Sequence, residues 1–349
     1  MSTATTTVIG APDPADHADH AAPADEAPRA LGKGGDPADR VFRGSARGAG
    51  AVVLLIMTLV GVFLGGRALE ALRDAGPAFL TTAAWEPDSH NFGIAAVLTG
   101  TVLIGAVAIV FAVPLAAGTA LYITEYAPRR LKQTLISLVD LMAAVPSVVY
   151  GLWGLFFFQP AVVGLSRWLT TYAGWFPLFA VDGDDPRDPL SSNTFYTSST
   201  FIAGMVVALM VTPIACSVMR EAFAQAPPGE REGAFALGAT QWGVIRSVVL
   251  PFGKGGVIGG TMLGLGRALG ETIAVYLIIS PVFTVQPHIL QNGANSVSAL
   301  IALRYGSASG FGMSALMAAG LALFLMTLVV NFIASSVVAR SRSGAGADA

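Results

Sequence analysis

The chain has 349 residues, 54% of them hydrophobic and only 12% charged, with a mean hydropathy of +0.65. Soluble domains carry about 25% charged residues, so the composition excludes a soluble globular protein and indicates an integral membrane protein. The net charge of −2 names no partner, and a single cysteine, Cys216, excludes an intrachain disulfide.

Residues 1–47 are rich in Ala, Pro, Asp and Gly and lack apolar periodicity, which predicts a disordered tail. No apolar run of the signal-peptide kind opens the chain. The repeated Ala-Asp-His at residues 15–20 is read as low complexity, and the four histidines show no metal-ligand spacing.

The first span is Gly48–Gly66, an uncharged run between Arg47 and Arg67 that meets the ~20 residues a bilayer core requires. With a mixed outer loop, in which Trp85 would anchor at the interface, it makes up residues 48–92. The multi-span domain predicted for residues 93–339 opens on a second uncharged stretch, Gly93–Thr124. That stretch exceeds a straight crossing, so tilt or extension beyond the bilayer is expected; Pro114 would kink it. A short basic turn, Tyr122–Arg130, follows.

The third span is expected at Leu135–Phe158, with Asp140 near the interface and Pro146-Ser147 interrupting the helix at mid-depth. Backbone polar groups freed there must face protein or a water-filled path, which makes both residues candidates for a hinge or a pathway lining. The loop 159–198 begins with Trp168, Tyr172, Trp175 and Phe176, an interfacial belt. It then turns acidic between Asp182 and Asp188, either a docking surface or a solvated loop. The fourth span is Ser199–Met219.

Residues 221–254 form the long polar interlude of the second half. Pro228 suits the first turn of a helix, and Glu230 and Glu232 favour its positive end. Gly238 can end that helix in a left-handed conformation. Thr240 can cap a second short helix, which Leu250-Pro251 would close before the next span. The reading is helix, glycine turn, helix along a membrane surface.

The fifth span starts after Lys254. Gly256, Gly260 and Gly264 repeat every four residues and mark a face for close helix approach. Arg267 and Glu271 follow, four apart and so expected on one helical face, with Arg267 ~20 Å along the helix from Lys254. A charge at that depth costs roughly 2.5–3.5 kcal/mol on insertion scales. Two readings stand: a guanidinium that receives an oxyanion bidentately and rests against the carboxylate, or a salt bridge that fixes helix packing. An outer loop is expected around Pro281–Asn295 and the sixth span within Gly312–Val338, ahead of a short tail, 340–349.

With the N-terminal tail inside, twelve Lys and Arg near the membrane fall on cytoplasmic segments and five (Arg67, Arg73, Arg167, Arg187, Arg304) on outer loops. This bias supports six spans with both termini cytoplasmic. No Gly-x-x-x-x-Gly-Lys-Ser/Thr occurs, since Gly253-Lys254-Gly255 and Gly32-Lys33-Gly34 lack the hydroxyl residue. No nucleophile triad is visible either, so the chain is not expected to be an enzyme or to bind a cofactor.

Glu232-Gly233-Ala234, Gly238, Val248 and Leu250-Pro251 resemble the EAA loop of ABC importer permeases, with Gly233 in place of the usual second alanine. The segments Tyr122–Pro128, Pro146–Gly151 and Gly266–Thr272 narrow the resemblance, over about Gly93–Val338, to PstC-type permease subunits of phosphate ABC importers. The resemblance implies an all-α type I importer permease fold of about six transmembrane helices with a cytoplasmic coupling helix, in a bacterial inner or plasma membrane. It implies a homologous PstA-type permease, a PstB-type ATPase dimer using ATP and Mg, and an extracytoplasmic PstS-type phosphate-binding protein. Membrane lipid surrounds such a chain; nucleic acid has no part. Phosphate is implied by the resemblance, whereas the residues alone indicate an anion. Another oxyanion such as sulfate or molybdate, or a proton-coupled carrier using Arg267 and Glu271, are the alternatives.

Overall fold

The computed structural model describes residues 37–188 and 190–342. The disordered tail expected for residues 1–47 therefore lies, up to residue 36, outside the described residues. Six helical stretches among the described residues are long and apolar enough to cross a membrane: Arg40–Leu80, Ala95–Tyr126, Ser147–Ala173, Thr200–Ala224, Gln241–Gly270 and Gly310–Ile333. Among the described residues, 37–57 and 58–342 fall in separate units.

The first helix, α1 (Pro37–Ala75), begins earlier than expected, so residues 37–47 are helical rather than tail. Pro37 costs nothing at a first helical turn, where its N–H would be unpaired, and the alanines and arginines that follow are good helix formers. A short hairpin, β1 (Trp85–Glu86) and β2 (Asn91–Phe92), leads to α2 (Ala95–Leu121). Trp85 is no interfacial anchor. It is buried edge-on against Phe92 in a cluster with Phe79 and Ile94, because its indole fills the space under the hairpin.

The third span departs from its expected bounds. α3 (Arg129–Ala144) is a separate helix that lies outside the span, and α4 (Ser147–Trp153) restarts after it. Val145 is extended, at φ −65° and ψ 129°, because the ring of a following proline excludes the helical region for the residue before it. The span continues through a π turn, Gly154–Phe158, into α5 (Gln159–Ala173), which takes in residues expected as loop. Trp168 and Tyr172 of α5, and Trp175 and Phe176 beyond it, are all exposed.

The fourth span is α6 (Thr200–Ala224), capped by the Ser199 hydroxyl, which accepts from the Ile202 N–H. α7 (Pro228–Ala236) and α8 (Gln241–Val244) follow. A π turn, Ile245–Val249, then joins α8 to α9 (Leu250–Gly270) as one unbroken span. Leu250-Pro251 therefore does not close a helix, contrary to expectation. The reason recurs along the chain. Each of three π turns, ending at Tyr126, Phe158 and Val249, precedes a proline by two residues (Pro128, Pro160, Pro251). Proline cannot bond the carbonyl four residues back and its ring collides with it; the wider turn, with bonds five residues back, relieves both demands. At the last two the helix passes through, and at Pro128 it ends.

α9 packs along α6 on the face predicted from the glycine repeat. A Cβ added at Gly256 would lie 2.0 Å from the Ala222 Cβ, at Gly260 2.9 Å from the Ala215 carbonyl oxygen, and at Gly264 2.6 Å from Val211 Cγ1. The backbones meet where no side chain fits. α2 completes this centre through Ile104, Ala108 and Ala112, which are buried with Val206, Val207 and Val211.

Beyond Gly270 the chain is more structured than a loop. α10 (Ile273–Ile278) and α11 (Val297–Arg304) flank an irregular stretch, and α12 (Gly310–Arg342) carries the sixth span. α10 buries Val275 and Ile278 in the central cluster, and α11 buries Val297 and Leu300 against Ala315 and Leu316 of α12.

Candidate functional site

The polar interlude is a helix, a glycine turn and a second helix. α7 is stopped at Gly238, whose φ of +84° is the left-handed conformation that glycine adopts without cost. The turn closes with Gly238 N–H donating to the Phe235 carbonyl at 2.9 Å and Ala239 N–H to that of Ala234 at 3.0 Å. Thr240 then caps α8, its hydroxyl accepting from the Gly243 N–H at 3.2 Å. Glu232, Gly233 and Gly238 are exposed and Ala234 is half-buried. Leu250 packs under the inner cluster of Ala215, Met219 and Phe223, while Pro251 is exposed.

Three large apolar side chains stand out from this interlude: Phe235 is 47% exposed, Leu237 91% and Trp242 58%. Their signal in the sequence was weak, because single apolar residues in a polar stretch are common.

Two further residues were missed. Glu125, in the π turn Tyr122–Tyr126 that ends the second span, is ion-paired with Arg231 of α7 at 3.0 Å. The Glu125 side chain is 4% exposed. Arg231 also donates to the Phe223 carbonyl at 2.7 Å, and Gln241 donates to the Glu125 carbonyl at 3.3 Å. An acidic residue ending an uncharged run, and a basic one in a helix 106 residues later, carry no local pattern that would join them.

Arg267 and Glu271 are arranged differently from the expectation. α9 ends at Gly270, and Glu271 is extended at φ −67° and ψ 127°. The two residues therefore do not share a helical face, and among the described residues no ion pair joins them. Glu271 is buried, and its carboxylate accepts from the Ala274 N–H at 3.3 Å at the start of α10. Its carbonyl accepts from the Ser298 hydroxyl at 2.7 Å. Satisfying these groups of an interrupted helix is what drew the carboxylate away from Arg267. Arg267 is exposed at the end of α9.

Tyr150 belongs to the Pro146 interruption. Its hydroxyl donates to the Met142 carbonyl at 3.0 Å, reaching back across Val145-Pro146 to the end of α3. Pro146 is exposed and Ser147, the first residue of α4, is half-buried. Pro146 thus stands just ahead of the third span rather than at mid-depth, Glu271 lies just past the end of the fifth, and Tyr150 and Arg267 lie beside these two points.

A family profile described as "Binding-protein-dependent transport system inner membrane component" matches residues 112–343. The chain belongs to this family. Its relatives include the phosphate transport system permease protein PstC 2 of Mycobacterium tuberculosis (strain ATCC 25618 / H37Rv), 37% identical over 313 residues, covering 88% of this chain and 93% of the relative. The phosphate transport system permease protein PstC of Mycobacterium leprae is 39% identical over 306 residues, covering 86% and 92%. That of Pasteurella multocida is 36% identical over 301 residues, covering 86% and 91%. Among solved structures, a bacterial alginate ABC transporter in complex with an alginate pentasaccharide-bound periplasmic protein is similar at a TM-score of 0.55. It is 16% identical and covers 86% of this chain and 95% of that one. At that identity the likeness concerns the fold, and the fold is that of a type I importer permease, as the six membrane helices and the family require. As a family member the chain is a multi-pass membrane component of a multi-subunit transporter.

Proposed function

We propose that this chain is the PstC-type permease subunit of an ATP-driven inorganic phosphate importer. The observation that carries this reading is the match, at 37% identity over 93% of its length, to a phosphate transport system permease, in a chain that exposes an EAA-like loop. The chain forms the translocation pathway with a homologous PstA-type permease and hydrolyses no ATP itself. ATP and Mg are used by a PstB-type ATPase dimer, and a PstS-type binding protein delivers phosphate at the outer face of the bacterial cell membrane. The excess of Lys and Arg on one side supports a cytoplasmic position for both termini.

In this reading α7 and the turn at Gly238 dock on the ATPase through Phe235, Leu237 and the neighbouring Glu232. Closure of the ATPase dimer moves that loop, and the spans rock between outward and inward openings. Arg267 meets the anion on its way. Its planar guanidinium offers paired donors to tetrahedral oxyanions, and its exposed position leaves those donors for a passing ligand. Pro146 and Ser147 supply the bend between α3 and the third span. Because Glu271 is engaged at α10, its part is to hold the pathway wall rather than to neutralise Arg267.

The test is labelled-phosphate uptake by vesicles containing the whole complex, with sulfate and molybdate as competitors. Uptake that requires ATP and withstands a tenfold excess of either competitor supports the assignment. Competition by sulfate or molybdate at equal concentration would move the cargo to another oxyanion.

A further inference from the structure

α7 is the element on which the ATPase acts in the reading above, yet none of its nine residues is buried. A helix with no buried side chain has little interlocked packing through which to drive the spans. Among the described residues, the hydrogen bonds and ion pairs that tie α7 to those spans are made by Arg231. Its Nη1 lies 3.0 Å from Glu125 Oε1 and donates to Oε2 at 3.2 Å, and its Nη2 donates to the Phe223 carbonyl at 2.7 Å. Glu125 closes the second span and Phe223 lies in the last turn of the fourth. One guanidinium therefore grips the ends of two spans.

We propose that the Glu125–Arg231 pair is the positioning link that carries displacement of α7 into the second and fourth spans. The chemistry suits a link that must stay closed under load. The Glu125 carboxylate is 4% exposed, and separating it from its partner would strand a charge away from water. The guanidinium is planar and its donors diverge in a fixed fork, so a shift of α7 is transmitted with its direction. Gln241, at the start of α8, holds the Glu125 carbonyl at 3.3 Å, so the far side of the glycine turn is tied to the same point. The pair touches no cargo and acts by position.

This inference rests on the coupling-loop reading, and the experiment separates the two. The complete importer is reconstituted in proteoliposomes, and ATP hydrolysis and phosphate uptake are measured together for the native chain, Glu125→Gln, Arg231→Lys and Gly238→Leu. Co-purification of the ATPase is scored for each. The link predicts that Glu125→Gln and Arg231→Lys retain the ATPase and hydrolyse ATP within about twofold of the native rate, while ATP consumed per phosphate rises at least tenfold. An unchanged ratio in both variants overturns the link, and so does loss of the ATPase from both, which would make the pair a structural strut. If only one variant loses the ATPase, the ratio of the other decides. An uncoupled Gly238→Leu beside normally coupled Glu125→Gln and Arg231→Lys removes the link alone. A normally coupled Gly238→Leu removes the coupling-loop reading with it.

Discussion

Gly151 of α4 lies against Ala274 of α10, so close that a Cβ added to Gly151 would sit 2.9 Å from the Ala274 Cα. Gly151 comes four residues after Ser147, where the third span begins. Ala274 comes three after Glu271, just past the end of the fifth. The start of the third span therefore touches the short helix that follows the fifth. Gly151→Leu should force α4 and α10 apart at a cost of about 1–3 kcal/mol and lower uptake at least tenfold. Uptake by vesicles containing the assembled variant complex checks this, and native uptake would mean that the contact is incidental.

Arg267 and Glu271 are predicted to separate in their effects. Arg267→Ala should abolish uptake while the complex still assembles. Glu271→Gln retains the oxygen that accepts from the Ala274 N–H and should keep at least half the uptake, whereas Glu271→Ala loses that hydrogen bond at a cost of about 1 kcal/mol. Paired uptake and thermal-unfolding measurements distinguish the cases. Equal loss from Arg267→Ala and Glu271→Gln would restore the charged-pair expectation.

The α6–α9 contact gives a test with an internal control. A Cβ at Gly256 meets Ala222, whereas one at Gly255 or Gly259 meets open space. Gly256→Leu should lower the unfolding temperature of the detergent-solubilised complex, by about 1–3 kcal/mol of stability, and Gly259→Leu should not. Equal shifts would mean that the glycines act through helix propensity alone.

In α7, Gly233 stands where the family pattern has alanine, and a Cβ there meets nothing within 4 Å. Gly233→Ala should firm the helix by about 0.5–1 kcal/mol and leave transport intact. Gly238→Ala, at φ +84°, should cost about 1–2 kcal/mol and weaken ATP-dependent uptake. Uptake titrated against ATPase concentration reads both.

Much of this was legible in the sequence because it is local. Thr240 caps within three residues, Gly238 turns within one, and the Gly256–Gly260–Gly264 face follows from helical periodicity alone. The bounds that failed share a cause as well. At Pro160 and Pro251 a π turn two residues upstream carries the helix through, and nothing in the local pattern separates these prolines from Pro146, where the helix stops. The Glu125–Arg231 pair and the diversion of Glu271 to α10 depend on residues brought together by the fold, and a carboxylate four residues from an arginine reads as its partner until the helix between them is seen to end.

In the proposed function the loop at Pro228–Val244 is moved by a separate ATPase, and this chain alone carries nothing. Labelled-phosphate uptake into proteoliposomes holding the purified chain alone, or the chain with its partner permease, ATPase and binding protein, tests it most directly. The account predicts uptake only in the complete system and only with ATP inside the compartment the ATPase faces. Phosphate accumulation by the chain alone under a proton gradient, without nucleotide, would contradict it.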